Sequence, residues 1–514
     1  MSNMAKVTRP EGGDVGAGGR GASDERDTMP LTPSASVSYK RPRSQIPLSE
    51  QQVPPHAIAA SSRGFRTVLG NHLFLRLWIA QVISQTIMNA SNYGLIAFVA
   101  TQSKSNFATS LSIVAFALPA AIFAPIAGVL VDRFNRRSVL WVSNLLRALA
   151  AVAFAVALHA NQSAVIPAIL LSFITATIGQ FFAPAEGASI PLLVYPDELV
   201  NALSLFNITF TISQALGIIV LGPAIILFVP PITVGKLTIS PTESLFLIVA
   251  LLYMVCIALI FSIPKSRLKV ETSGIRRPPA SVEEKSQLRS IWLGIREAGS
   301  FMRHDRRLLI AILQLCMGGV IVAIVSAVAP NFVLEFFHQP QTHMVLVLFP
   351  AGVGLVLGSA VTPALVHRLR YVRTITIGII ALASSIALLT LLRAIALAIH
   401  PPTSPADGSW VTLWYLALAI FLTFCIGVSL NFISVPTQTI MQSRSPDRIK
   451  GRVLALQSMM QNGLNVVVLP LIGIIADILG IPVALDLLAV TILTAGLASI
   501  YFSMSDQPGR IGES

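Results

Sequence analysis

Gly128-Val129-Leu130-Val131-Asp132-Arg133-Phe134-Asn135-Arg136-Arg137 is a short charged turn between two long apolar runs. Its reading decides the fold. Upstream and downstream of it the same alternation continues: a run of about 20 apolar residues, which spans the hydrocarbon layer as a helix, then a brief polar break. The runs fall at 72–100, 107–131, 138–158, 163–183, 200–228, 244–263, 307–333, 343–366, 372–397, 411–436, 451–475 and 481–503. Only 11% of the residues are charged and 54% are hydrophobic, whereas a soluble domain carries roughly 25% charged residues. A soluble multidomain protein is excluded. So is an outer-membrane barrel, because no alternating ten-residue segments occur.

The net charge of +13 has a topological source. Of the 36 Lys and Arg, only Lys104 and Lys236 fall in loops on one side, and only Arg76, Arg147 and Arg393 fall within spans. The rest gather on the side of the N-terminus, which places both termini in the cytoplasm. No nucleic-acid partner is expected. The three cysteines, Cys256, Cys316 and Cys425, lie inside apolar runs and read as buried free thiols. No CxxC metal site, metal cluster or G-x-x-x-x-G-K-[ST] phosphate loop is present in the sequence, so neither a metal nor another cofactor is expected.

Residues 1–68, rich in Gly, Pro, Ser and Arg, read as a disordered cytoplasmic tail. Spans at 69–263 and 307–503 form two sets of six, separated by a polar segment at 264–306 and followed by a short tail at 504–514. The sets echo each other. Leu130-Val131-Asp132-Arg133 corresponds to Leu365-Val366-His367-Arg368, and Pro196-Asp197-Glu198-Leu199 to Pro446-Asp447-Arg448-Ile449. Such internal repeats commonly enclose a substrate site near the bilayer midplane.

Twelve spans, a central loop and the turn starting at Gly128 resemble the major facilitator superfamily. Its signature, roughly G-x-L-x-D-R-x-G-R-[RK], is matched by Gly128, Leu130, Asp132, Arg133, Arg136 and Arg137. Asn135 stands where the family has Gly, and is expected to take the left-handed geometry that Asn tolerates. Phe181-Phe182-Ala183-Pro184-Ala185, Ile190-Pro191, Asn201-Ala202-Leu203 and Gly451-Arg452-Val453 resemble the branch of macrolide effluxers and enterobactin exporters. Gly217 and Gly222-Pro223 look like a fragment of an antiporter motif, with Ala224-Ile225 in place of the Gly-Gly that often follows. The resemblance implies an all-α integral membrane protein of two pseudo-symmetric six-helix bundles in the plasma membrane. It also implies alternating access without covalent chemistry on the substrate. The chain is expected to be a monomer that meets a small-molecule solute and bilayer lipid.

Three polar stripes are candidates for the cavity wall. Gln81, Gln85, Asn89 and Asn92 share one face of span one, Asn207, Thr211 and Gln214 one face of span five, and Gln457, Gln461 and Asn465 one face of span eleven. Amides at this depth line watery cavities or glue helices together, and both readings stay open. Trp78, Tyr93 and Phe182 lie near them, which suits a bulky, uncharged or amphipathic solute. Asp132 at a helix end can cap another helix's N-terminus; the resemblance implies span eleven as its partner and a cytoplasmic latch. Arg133, Arg136 and Arg137 pair with Glu186 or with exposed carbonyls in this reading. Ala120, Ala124 and Gly128, and likewise Gly354 and Gly358, form small-xxx-small rows expected to pack the halves together. Arg147 sits deep in span three as a functional candidate or a snorkelling cation. Arg393 reads as snorkelling, and Glu335 and Asp486 as rim or helix-start carboxylates or, with Glu186, as ion-coupling groups. The expected activity is efflux of a drug-like or siderophore-like molecule, with proton coupling open. Lysophospholipid transport and a non-transporting receptor or scaffold are the rivals.

Overall fold

The computed structural model describes residues 66–131, 134–161, 164–195, 198–234, 237–268, 293, 296–297, 299–400, 411–446 and 449–505. Residues 1–65 of the expected disordered tail and most of the 264–306 segment lie outside these residues, as do Asp132 and Arg133; residues 66–68 are helical instead, with Val68 buried. The chain order is α1 (His72–Ser103), α2 (Asn106–Val131), α3 (Arg136–Ala160), α4 (Val165–Leu193), α5 (Leu199–Ala215), a π-turn (Leu216–Leu221) and α6 (Gly222–Phe228). A hairpin of two three-residue strands, β1 (Ile232–Val234) and β2 (Leu237–Ile239), follows, pairing Ile232 with Ile239. Then come α7 (Pro241–Phe261), α8 (Arg306–Phe337), α9 (Val345–Ile399), α10 (Leu413–Arg444), α11 (Lys450–Leu479) and α12 (Ile481–Ser505). Among the described residues, ten helices are long and apolar enough to cross a bilayer. The expected twelve spans are reached only by dividing α9 and by admitting α1, whose amides lower its hydropathy.

Local chemistry sets the helix ends. Asn71 accepts from the N–H groups of Leu73 (3.1 Å) and Phe74 (3.4 Å) to start α1. Ser240 and Glu243 form a reciprocal capping box at α7. Asn135 departs from the sequence reading. It is extended (φ −65°, ψ 118°), and its carboxamide accepts from Arg137 N–H at 3.0 Å. The position needs an N-cap for α3, which Asn supplies and Gly cannot; a left-handed turn is not used. Between the eighth and ninth runs there is no loop: α9 is broken at Arg370 alone (φ 67°, ψ 160°). The fifth run is not one α-helix, because the π-turn interrupts it.

The end of the molecule where α1, α3, α8 and α11 begin carries Arg136, Arg137, Arg306, Arg307, Arg370, Arg444 and Arg452; it is called the basic face. At the opposite face one hydrophobic core runs through both halves, from Tyr93, Phe98 and Phe154 to Phe332, Phe336 and Tyr415. Towards the basic face the core divides. Phe74, Leu140, Phe182 and Ile260 form a cluster wholly in the first half, and Leu308, Cys316, Met441 and Val453 one wholly in the second. The two halves thus share apolar packing at one end and hold separate packing at the other.

Gly354 and Gly358 do not join the halves as expected. They back onto the α10 backbone at Phe424 and Val428, inside the second half, because the break at Arg370 brings both arms of α9 alongside α10. The largest contact across the halves is made by α2 and α11; of its small residues, Gly128 lies in α2 and its surroundings, like those of Ala124, are outside the described side chains. Cys256 and Cys316 are buried free thiols, as read from the sequence, and Cys425 is half-buried.

Candidate functional site

The stripe on α1 divides its work. Gln81 is buried and its Nε2 donates to Phe206 O of α5 (3.4 Å). Asn89 is buried, donates to Gln85 O (2.8 Å) within its own helix, and packs at Gly217 of the π-turn, where no side chain would fit against Thr86 and Ala90. Gln85 and Asn92 are half-buried. Trp78 Nε1 donates to Thr209 Oγ1 (3.0 Å), so α5 turns Thr209, Ser213 and Gly217 towards α1. Asn207, Thr211 and Gln214 accordingly fall on the far side of α5 and are exposed. On α11, Gln457 Nε2 donates to Gln461 Oε1 (2.9 Å), Gln461 lies over Gly319 of α8, and Asn465 is buried with Oδ1 unpartnered. Among the described residues no side-chain hydrogen bond runs from one stripe to another. Gln81 and Asn89 therefore serve helix packing, whereas Gln85 and Asn92 are half-buried and Asn207, Thr211 and Gln214 exposed.

Arg147 does not snorkel. It is 2% exposed and sits among α1, α3, α4 and α7. Its Nη1 donates to Ser84 Oγ (3.2 Å), which donates to Asn144 Oδ1 (3.2 Å). The guanidinium lies over the rings of Phe182 (5.0 Å) and Tyr253 (5.9 Å), and Gly179 leaves room for it on α4. Glu186 is buried in the same compartment, acts on Arg147 electrostatically without a direct ion pair, and has Oε1 unpartnered. A void of about 10 Å³ beside Arg147, Asn92 and Tyr253 has room for about one water. Placing an arginine and a carboxylate at this depth is costly unless each compensates the other, so this is the charged centre of the first half.

Of the two partners expected for the turn arginines, Glu186 or carbonyls, Arg136 and Arg137 take carbonyls, and Arg133 lies outside the described residues. Arg136 Nη1 donates to Ala188 O (2.7 Å), and Arg137 donates to Phe261 O (2.6 Å) and Ile260 O (3.4 Å) while covering the Phe261 ring. Both satisfy carbonyls near helix ends, while Glu186 is buried with Oε1 unpartnered. Arg393 is ion-paired with Glu335 (2.8 Å) over Phe336, and Asp486 accepts from Thr390 Oγ1 (2.5 Å). These three tie helices together in the second half.

Asp477, near the end of α11, was not singled out in the sequence. Its carboxylate accepts from Ser105 Oγ (2.6 Å), Asn106 N (2.6 Å), Asn106 Nδ2 (2.9 Å) and Phe107 N (3.1 Å) at the start of α2. Asn106 Oδ1 accepts from Asn331 Nδ2 (3.0 Å), whose Oδ1 accepts from Gln341 Nε2 (3.2 Å). Tyr93 OH donates to Thr342 O (2.7 Å). A polar seam therefore closes the opposite face. At the basic face the described ion pairs stay within the second half: Arg444 with Asp305 (3.0 Å), and Arg452 with Glu297.

Comparison with known proteins places this architecture. The Major Facilitator Superfamily profile matches residues 77–464. An uncharacterized MFS-type transporter, YfiS of Bacillus subtilis (strain 168), is 22% identical over 391 residues, covering 76% of this chain and 83% of its own. Macrolide efflux protein A of Streptococcus pyogenes is 20% identical over 414 residues, covering 79% and 90%. The crystal structure of the nucleoside transporter NupG shares the fold with a TM-score of 0.61 at 13% identity, covering 85% of this chain and all of that one. This chain belongs to the Major Facilitator Superfamily: it is a multi-pass membrane transporter, and not an enzyme.

Proposed function

We propose that this transporter exports a bulky, amphipathic, largely uncharged small molecule by alternating access, with the basic face and both termini in the cytoplasm. The conformation described here then opens to the cytoplasm. The observation that carries this reading is the division of the core: shared packing at the opposite face, separate packing at the basic face. A solute entering from the basic face would meet Gln85 and Asn92 on α1, Asn207, Thr211 and Gln214 on α5, and Gln461 on α11. An uncharged solute is favoured because Glu335, Asp477 and Asp486 already have partners. Likeness to a macrolide efflux protein supports a drug-like cargo; a siderophore-like molecule has the same size and polarity.

Two parts of the cycle follow from this proposal. Glu186 couples transport to protons, since it is a buried carboxylate with an unpartnered oxygen beside Arg147. Asp132 latches the cytoplasmic face when the opposite face opens, supported by Arg133, Arg136 and Arg137 at the same turn. An apolar groove of about 410 Å³ between α3 and α4, lined by Val142, Leu146, Ile178 and Phe181, favours a lysophospholipid as the second cargo to test.

The test is counterflow in proteoliposomes against macrolides, dyes, siderophores and lysophospholipids, with and without a proton gradient. Uptake of a labelled macrolide that depends on the gradient, and loses that dependence in Glu186→Gln, is expected. Counterflow unaffected by the gradient would remove Glu186 from coupling, and counterflow of no tested solute would reject the cargo class.

A further inference from the structure

The N-terminus of α2 is satisfied in an unusual way. The first N–H groups of a helix have no partner within it. Here Ser105 N bonds to Ser103 Oγ (3.3 Å) and Ala108 N to Ser105 Oγ (3.2 Å), both local. The two between them, Asn106 N and Phe107 N, are taken by Asp477, a residue 371 positions from Asn106 and in the other half of the molecule. The same carboxylate also receives Ser105 Oγ and Asn106 Nδ2. All four contacts are donors meeting an acceptor, at an end of α2 where the helix dipole favours negative charge. Immediately below, Gly473 lets the α11 backbone come against Phe107 and Asn106.

The other end of this helix pair is different. Ile449 stands at the N-cap of α11, and its own apolar side chain makes no cap hydrogen bond. Gly451, two residues on, has nothing within 4 Å of its open side. The α2–α11 pair is thus fastened by a side chain at the opposite face. Because α2 and α11 belong to different halves, separating the halves at the opposite face has to break this cap. Two N–H groups and a carboxylate then pass to water together.

We propose that Asp477 is a positioning residue of the transport cycle: by capping α2 from the other half it holds the opposite face shut and sets how often that face opens. This rests on the alternating-access reading. Removing an N-cap side chain costs helix stability by an amount that corresponds to roughly a two- to thirtyfold change in an equilibrium. Asp477 is solvent-exposed, so a shift near the middle, about fivefold, is expected.

The full-length protein, with Cys256, Cys316 and Cys425 replaced by serine, would carry spin-label pairs on each face. Gln102 with Leu413 reports the opposite face and Ser138 with Ser443 the basic face, all four being exposed. Distances are measured in nanodiscs at acidic and alkaline pH and with erythromycin. In Asp477→Ala, the population with a long Gln102–Leu413 distance should rise about fivefold as the Ser138–Ser443 distance shortens. Ser105→Ala, which removes one donor from the same carboxylate, should move both pairs the same way by less. If pH or erythromycin moves the pairs while both variants match the parent, the Asp477 proposal is overturned and alternating access stands. If neither pair moves under any condition in any variant, alternating access itself fails and the proposal with it.

Discussion

Gly473→Ala should loosen the opposite face without unfolding the protein. A Cβ at Gly473 would lie 2.7 Å from Phe107 Cα, 2.8 Å from Ser110 Oγ and 2.9 Å from Asn106 O, where ordinary contact is 3.4–4 Å. Two of the three obstacles are backbone atoms, so the α2–α11 contact has to widen by about 0.7 Å. Inserting a methyl group into packed structure costs about 1–3 kcal/mol. Alanine gains up to ~1 kcal/mol of helix propensity over glycine, but that gain is present whichever face is open and cancels in the ratio of the two states. The ratio should therefore move by roughly 5- to 150-fold towards opening. Thr109 is fully buried one turn from this contact. A cysteine placed there, on a background without native cysteines, should react faster with an impermeant maleimide in Gly473→Ala than in the parent. Gly463→Ala on the same helix is the control, since its Cβ meets nothing within 4 Å. Equal labelling rates in Gly473→Ala, Gly463→Ala and parent would refute the argument that backbone proximity at Gly473 closes this face.

Three more outcomes are expected. Arg147→Met should destabilise the protein by about 3–5 kcal/mol, because Glu186 loses its compensating charge, and Arg147→Met/Glu186→Gln should recover part of it. Thermal unfolding followed by maleimide labelling of buried Cys256 reads this, and a single variant as stable as the parent would count against the charged centre. Arg370→Gly should raise the melting temperature: φ 67° and ψ 160° are nearly glycine-only and cost of order 1–3 kcal/mol, more than glycine's own entropy cost of about 1 kcal/mol; a lower melting temperature contradicts the strain. At Asp305, burial pushes the carboxyl up, but the N–H groups of Leu308 and Arg307 and the Arg444 side chain outweigh it and hold it below the usual range. A depressed carboxylate stabilises above its unfolded value, about 3.9, and that contribution disappears as pH falls through the folded value. Proteolysis ahead of α8 should therefore accelerate on strong acidification, and in Asp305→Asn already at neutral pH; no change in either would dismiss the clamp.

Much of the fold was legible because hydropathy reports burial in a bilayer directly. Most of the long runs map onto the helices to within about four residues, though the fourth stops short of Leu193 by ten and the tenth short of Arg444 by eight, and the turn at Gly128 identified the superfamily. What periodicity cannot report is a helix's partner. Gly354 and Gly358 were visible as a smooth face, but α10 as the surface it meets depends on the break at Arg370, and arginine is a poor signal for a left-handed residue. Asn135 was read through the glycine it replaces, yet its own cap chemistry decides the geometry. Arg147 stood out because charge in a span is rare; that Glu186 shares its compartment needed α3 and α4 side by side. Asp477 was passed over because a carboxylate near a helix end reads as a rim residue, and its partners lie at the far end of the sequence. The stripe on α1 was correct as a face but mixed in role, since Gln81 and Asn89 are claimed by α5 and the π-turn.

The placement of Arg147 also bears on how the protein is made. Chain order brings α3 to the translocon before α4, and α7 later still. Arg147 must therefore be offered to lipid before Glu186, Phe182 and Tyr253 exist to receive it. A lone arginine at mid-helix opposes insertion by about 2.5–3.5 kcal/mol. The remaining residues of α3, from Leu140 to Leu158, have to carry that load until α4 arrives. α3 and α4 should accordingly leave the translocon as one hairpin, integrating together rather than in turn.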